Sequence, residues 1–94
     1  MQAPLDHIVI FDFEAICSNE GNHIYEVQEI IEFPAVIIDV KERKIKAAFQ
    51  TYVKPEKYPT LSDFCTELTG ITQDQVDSGV SISEAIFYFH EFLR

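Results

Sequence analysis

Apolar residues follow two different rhythms along this chain. Up to Val53 they form short dense runs, and beyond Leu61 they recur every three or four positions. The first run, His7 to Phe13, is apolar on both alternating faces, with Ile8 and Ile10 on one and Val9, Phe11 and Phe13 on the other. Strand residues two apart share a face, so this pattern predicts a central strand covered on both sides. Ala15 to Gln28 is polar and broken by Asn19, Gly21 and Asn22, which predicts a loop. Glu29 to Val40, EIIEFPAVIIDV, is the second predicted strand. Pro34 lies inside it, and proline lacks a ladder donor, so an edge or a bulge is expected there. Glu42 to Lys44 make a polar turn. Ile45 to Val53 is the third strand, with Thr51, Tyr52 and Val53 suited to a pleated surface. The short turns predict an antiparallel meander.

The second half reads as helices. After the connector Pro55 to Thr60, Leu61, Phe64, Cys65 and Leu68 recur at helical spacing, with Ser62 as N-cap and Gly70 as terminator. Thr72 and Gln75 have capping-box spacing for a short helix that stops before Gly79. Ser81 and Glu84 repeat the box, and Ile82, Ile86, Phe89 and Leu93 then form an apolar stripe expected in the core. No glycine or proline stop signal follows before Arg94. Three strands and unfinished helices would leave one sheet edge open, an aggregation liability that a protein partner could cover by strand addition.

Composition narrows the class. With 47% hydrophobic and 13% aromatic residues in 94, the chain reads as one small globular domain, not a disordered segment. No apolar run approaches the roughly 20 residues of a membrane span. MQAPLDH at the N-terminus lacks a basic stretch followed by an apolar core, so no signal peptide is expected. Cys17 and Cys65 make neither a zinc pattern nor a disulfide framework and read as free buried thiols of an intracellular protein, in cytoplasm or nucleus. A net charge of −9 argues against a basic surface that grips nucleic acid.

The candidate chemistry sits at the end of the first run. IVIFDFE places Asp12 and Glu14 two residues apart, on one strand face. Two carboxylates in an apolar setting must be neutralised, and a divalent cation bound by oxygen is the usual solution. A strand end emerging into water with two solvated acids is the alternative.

Five segments in order then form a recognisable series: FDFEAIC at 11–17, EIIEFPAV at 29–36, FQTYVKP at 49–55, LSDFC at 61–65 and ELTGITQDQVD at 67–77. The series resembles the DEDDh 3′–5′ exonucleases, in particular the exoribonucleases that trim histone mRNA, small RNA and ribosomal RNA ends. The resemblance implies an α/β chain, the N-terminal portion of an RNase H-like fold: a three-strand antiparallel meander followed by helices, lacking the last strands and helices. Residues 1–94 would be a partial exonuclease domain. The resemblance also implies two Mg²⁺ or Mn²⁺ ions about 4 Å apart, which clamp the attacking water and the leaving 3′ oxygen. Asp12 would bridge both ions, and Glu14 would bind one and act catalytically by positioning the water. Phe13 and Ala15 beside the acids, and Leu68, Thr69, Gly70 and Ile71, would contact the terminal nucleotide of an RNA 3′ end.

The family pattern also requires a second-motif aspartate, a histidine base and a final aspartate, which these 94 residues do not supply. Asp74 and Asp77 belong to the series' surface helix, not to that motif. His90 reads as a surface or partly buried histidine beside the Phe89 stripe, and His7 and His23 as solvent-facing. Glu32 is either a supporting acid on the neighbouring strand or an outward residue. Cys17 has no cation beside it to activate its thiol. Lys41, Arg43, Lys44 and Lys46 form a basic turn that reads as solvated. Two functions follow: the first part of a metal-dependent 3′–5′ exoribonuclease domain releasing 5′ monophosphates, with little activity alone, or a non-catalytic fragment serving as an interaction module.

Overall fold

The computed structural model describes residues 5–94, so the first four residues of the MQAPLDH stretch read for a signal peptide lie outside it. The strands are β1 (His7–Phe11), β2 (Glu14–Ala15), β3 (Ile30–Asp39) and β4 (Lys44–Tyr52). A 3-10 turn spans Asn22–Ile24, and the helices are α1 (Asp63–Thr69), α2 (Gln73–Asp77) and α3 (Ile82–Phe92). No helix among the described residues is long and apolar enough to cross a membrane.

The meander is present, with β3 in its middle. β4 pairs with β3 along one side, while β1 and β2 pair in succession along the other. Among the described residues the run from His7 pairs on one side only, which is the open edge expected of three strands. Ile8, Ile10, Phe11 and Phe13 are each between 42% and 46% exposed.

Register explains why β1 and β2 are two pieces. Phe11 lies opposite Ala35 and Glu14 opposite Glu32, so the pairing resumes in step after the gap. The gap at Asp12 falls opposite Pro34. Asp12 N–H still donates to the Pro34 carbonyl, at 3.4 Å, but Pro34 has no N–H to return the bond. On its other side Pro34 faces Gln50 in an intact ladder. The missing donor therefore points only at the β1–β2 seam.

Helix starts follow local chemistry. Ser62 Oγ accepts from Cys65 N–H at the start of α1, and Gly70 ends it at φ 78°, a left-handed turn that glycine takes without strain. Capping boxes at Thr72–Gln75 and Ser81–Glu84 start α2 and α3. The buried faces are narrower than hydropathy predicts. In α1 Cys65 is buried, whereas Leu68 is exposed. In α3 Ile86 and Leu93 are exposed; fully buried Ala85, with Ile82 and Phe89, packs on Phe33 and Val53 of the sheet side. A second cluster joins Ile16, Cys17 and Ile31 to Leu61, Cys65, Ile71 and Val76. Each fully buried aliphatic side chain there contributes about 1.5–3 kcal/mol.

The candidate metal and substrate site

Strand alternation and register place Asp12, Glu14, Glu32, Pro34 and Gln50 on one sheet face. The opposite face carries the aromatic cluster against α3: Phe11, Phe13, Phe33, Phe49 and Phe89, with Phe33 and Phe89 centroids 5.1 Å apart. The two acids thus stand away from the apolar layer. Asp12 is exposed and Glu14 half-buried. Asp12 borders a shallow groove of about 160 Å³ with Ile10, Pro34, Val36 and Ala48.

The pairing then shifts by one residue between Glu14 and Ala15, with Ile31 of the facing β3 left as the extra residue. Bulges bend a strand and re-aim its side chains, and they are frequent beside active sites. The seam at Asp12 and this bulge bracket the acid pair. Beyond it the chain is pinned: Ile16 N–H donates to the Glu29 carbonyl at 2.9 Å, and Ser62 Oγ donates to the Cys17 carbonyl at 2.7 Å. Cys65 Sγ lies 3.8 Å from the Ala15 carbonyl, so α1 sits against the strand that carries Glu14.

Register supplies a third acid that spacing did not assign. Glu32 stands directly across the ladder from Glu14, and like charges in that position repel. Gln50 Nε2 donates to Glu32 Oε2 at 2.9 Å and holds the carboxylate by the side of β4. Glu32 is therefore neither simply outward nor free.

The donor set fits a hard divalent cation: oxygen atoms only, two carboxylates on one face, both reachable from solvent. It is not a complete cage, because no three His, Cys, Asp or Glu side chains among the described residues gather with metal-holding geometry.

The other predicted residues are distributed unevenly. The ring of Phe13 stacks on Phe11 at 5.2 Å and meets Phe33 edge-on at 4.8 Å, so it turns away from the acids. Ala15 is half-buried beside Glu14, and Leu68 and Gly70 are exposed. Thr69 Oγ1 donates to the Cys65 carbonyl and accepts from Ile71 N–H, which fixes the turn after α1. Ile71 is 3% exposed, so its side chain is core and only its backbone is left for a ligand. His90 and His23 are exposed, and His7 Nε2 lies 3.2 Å from Lys46 Nζ. Lys41, Arg43, Lys44 and Lys46 are all exposed. Burial pushes the Cys17 thiol up to about 11, with the Cys65 thiol adding to the rise, which makes it a poor nucleophile.

Comparison with known proteins now decides the family. The family described as exonuclease, RNase T type, matches residues 9–94. The chain belongs to the exonuclease family. It is 47% identical over 89 residues to ERI1 exoribonuclease 2 of Xenopus laevis, covering 95% of this chain and 13% of that protein. A solved structure described as 3′-end specific recognition of histone mRNA stem-loop by 3′-exonuclease superposes with a TM-score of 0.91 at 42% identity, over 97% of this chain and 40% of that one. The nuclease domain of 3′hExo, described as a DEDDh family member bound to rAMP, gives 0.89 at 43% identity, over 94% of this chain and 44% of that one. The fold is thus the N-terminal part of an RNase H-like DEDDh nuclease domain, and the family's members are 3′–5′ exonucleases, hydrolases of phosphodiester bonds. The chain spans less than half the length of each of these relatives.

Proposed function

We propose that this chain carries the first metal-binding motif of a 3′–5′ exoribonuclease domain that removes nucleotides from RNA 3′ ends as 5′ monophosphates. The observation behind this reading is the pair Asp12 and Glu14 on one open strand face, bracketed by a seam and a bulge, in a chain of this family. Asp12 would hold both Mg²⁺ or Mn²⁺ ions, and Glu14 would hold one and orient the attacking water. When bound, such ions supply positive charge that makes water nucleophilic and stabilises the leaving oxygen. The backbone at Phe13 and Ala15, with Leu68, Thr69, Gly70 and the Ile71 backbone, would receive the terminal nucleotide. A relative's bound histone mRNA stem-loop and another's bound rAMP favour RNA as substrate. Two free buried thiols fit an intracellular setting, cytoplasm or nucleus.

Alone, the chain is expected to trim RNA little or not at all, since two acids bind cations weakly and its histidines lie off the acid face. Incubation with 3′-labelled RNA and Mn²⁺ checks this. Robust trimming that disappears in Asp12→Ala would overturn the claim of inactivity. A second reading, a non-catalytic interaction module, has the open β1 edge behind it. His7, Val9, Phe11 and Phe13 turn their backbone groups outward there, with no partner among the described residues.

A further inference from the structure

We infer that Pro34 is a positioning residue for the acid pair, acting by the hydrogen bond it cannot make. The inference rests on the reading of Asp12 and Glu14 as cation ligands. In a regular antiparallel ladder, residues opposite each other at a hydrogen-bonded position exchange two bonds. Asp12 and Pro34 occupy such a position, in register between Phe11–Ala35 and Glu14–Glu32. Only one bond forms, from Asp12 N–H to the Pro34 carbonyl, and it is stretched to 3.4 Å. The Asp12 carbonyl has no donor among the described residues. Regular strand stops at Phe11 and restarts at Glu14.

Proline inside a central strand ordinarily breaks a ladder that the sheet needs. Here its ring faces the seam alone, and the β3–β4 ladder passes Pro34–Gln50 undisturbed. The loss is therefore confined to the residue that carries the first acid. A flat strand holds side chains two apart parallel, whereas two carboxylates that share a cation must converge. The seam at Asp12 supplies the pivot on the strand that carries the pair, and the register shift beside Glu14, where Ile31 is the extra residue, bends the facing β3. A residue with an N–H at position 34 closes the second bond and flattens Asp12 against β3.

Pro34→Ala and Pro34→Val test this in the 94-residue chain, with Mn²⁺ titrated against the broadening of backbone amide NMR signals. In the parent chain the broadening centres on Asp12–Ala15. In both variants the new amide at position 34 exchanges at least about tenfold slower than an open amide. Mn²⁺ affinity at Asp12–Ala15 falls about tenfold, the scale at which groups that orient metal ligands act, while the urea midpoint stays level or rises. A merely structural proline would lower the midpoint and leave the affinity alone. A protected amide with unchanged Mn²⁺ affinity overturns the inference, as does an amide that exchanges freely. No local broadening in the parent chain removes the cation reading itself, and the inference falls with it.

Discussion

Glu29 fastens the connector to the sheet, and replacing it by Gln separates charge from shape. Its Oε1 accepts from Glu56 N–H at 2.7 Å and Lys57 N–H at 2.9 Å, and its Oε2 from Tyr58 N–H at 2.8 Å. A glutamine can offer its one oxygen to the first two donors, but then its amide group meets the third donor head-on. Bonds to a charged acceptor contribute about 1.5–3 kcal/mol each when dry. Glu56 and Lys57 are exposed, so water replaces much of what they lose. The net cost of Glu29→Gln at pH 7 is then about 1–2 kcal/mol, mostly from Tyr58 N–H. With a urea m-value of about 1.5 kcal/mol per M, the midpoint drops by roughly 1 M. Burial of Glu29 acts to raise its pKa, but the three N–H donors and the Lys57 charge outweigh it and hold the carboxyl below its ordinary value. A carboxylate with a depressed folded pKa stabilises above its unfolded pKa, and that contribution is lost as pH falls through the folded value. The parent and Glu29→Gln midpoints therefore converge on acidification, below the ordinary carboxylate range. Urea melts from pH 7 downwards read this directly. A gap that stays equally wide after acidification, or no gap at pH 7, refutes the reasoning.

Three further outcomes follow from local geometry. Ser62→Ala removes both the α1 cap and the bond to the Cys17 carbonyl, and should cost about 1–2 kcal/mol in chemical melts. Gly79→Ala places a Cβ 2.7 Å from the Tyr52 carbonyl oxygen, so the Lys54–Val80 and Val80–Tyr52 backbone bonds must shift; a loss of about 2 kcal/mol or more is expected in the same melts. Cys17 should resist iodoacetamide at neutral pH until the chain unfolds, because its thiol is buried and its pKa is raised to about 11; labelling faster than hydrogen-exchange opening would contradict this.

Elements set by neighbours in sequence were legible, and those set by partners in space were not. Ser62, Thr72 and Ser81 announce their helices because a cap needs only the next three residues. The apolar run of β1 shows a need for cover on both faces but not which residues supply it. In α3 the stripe of large residues pointed to Ile86 and Leu93, whereas close approach to the sheet selects Ala85, whose small side chain lets the helix in. The acid pair was readable from its two-residue spacing. Its surroundings were not, since Glu32 opposite Glu14 and Pro34 opposite Asp12 emerge only from register.

The central claim is that Asp12 and Glu14 together bind a divalent cation. Electron paramagnetic resonance of Mn²⁺, whose free-ion signal weakens on binding, measures it directly in the parent chain and in Asp12→Asn/Glu14→Gln. The account predicts a weak site in the parent that vanishes in the double variant, above the diffuse binding expected of a chain with net charge −9. Equal Mn²⁺ uptake by both chains would contradict it.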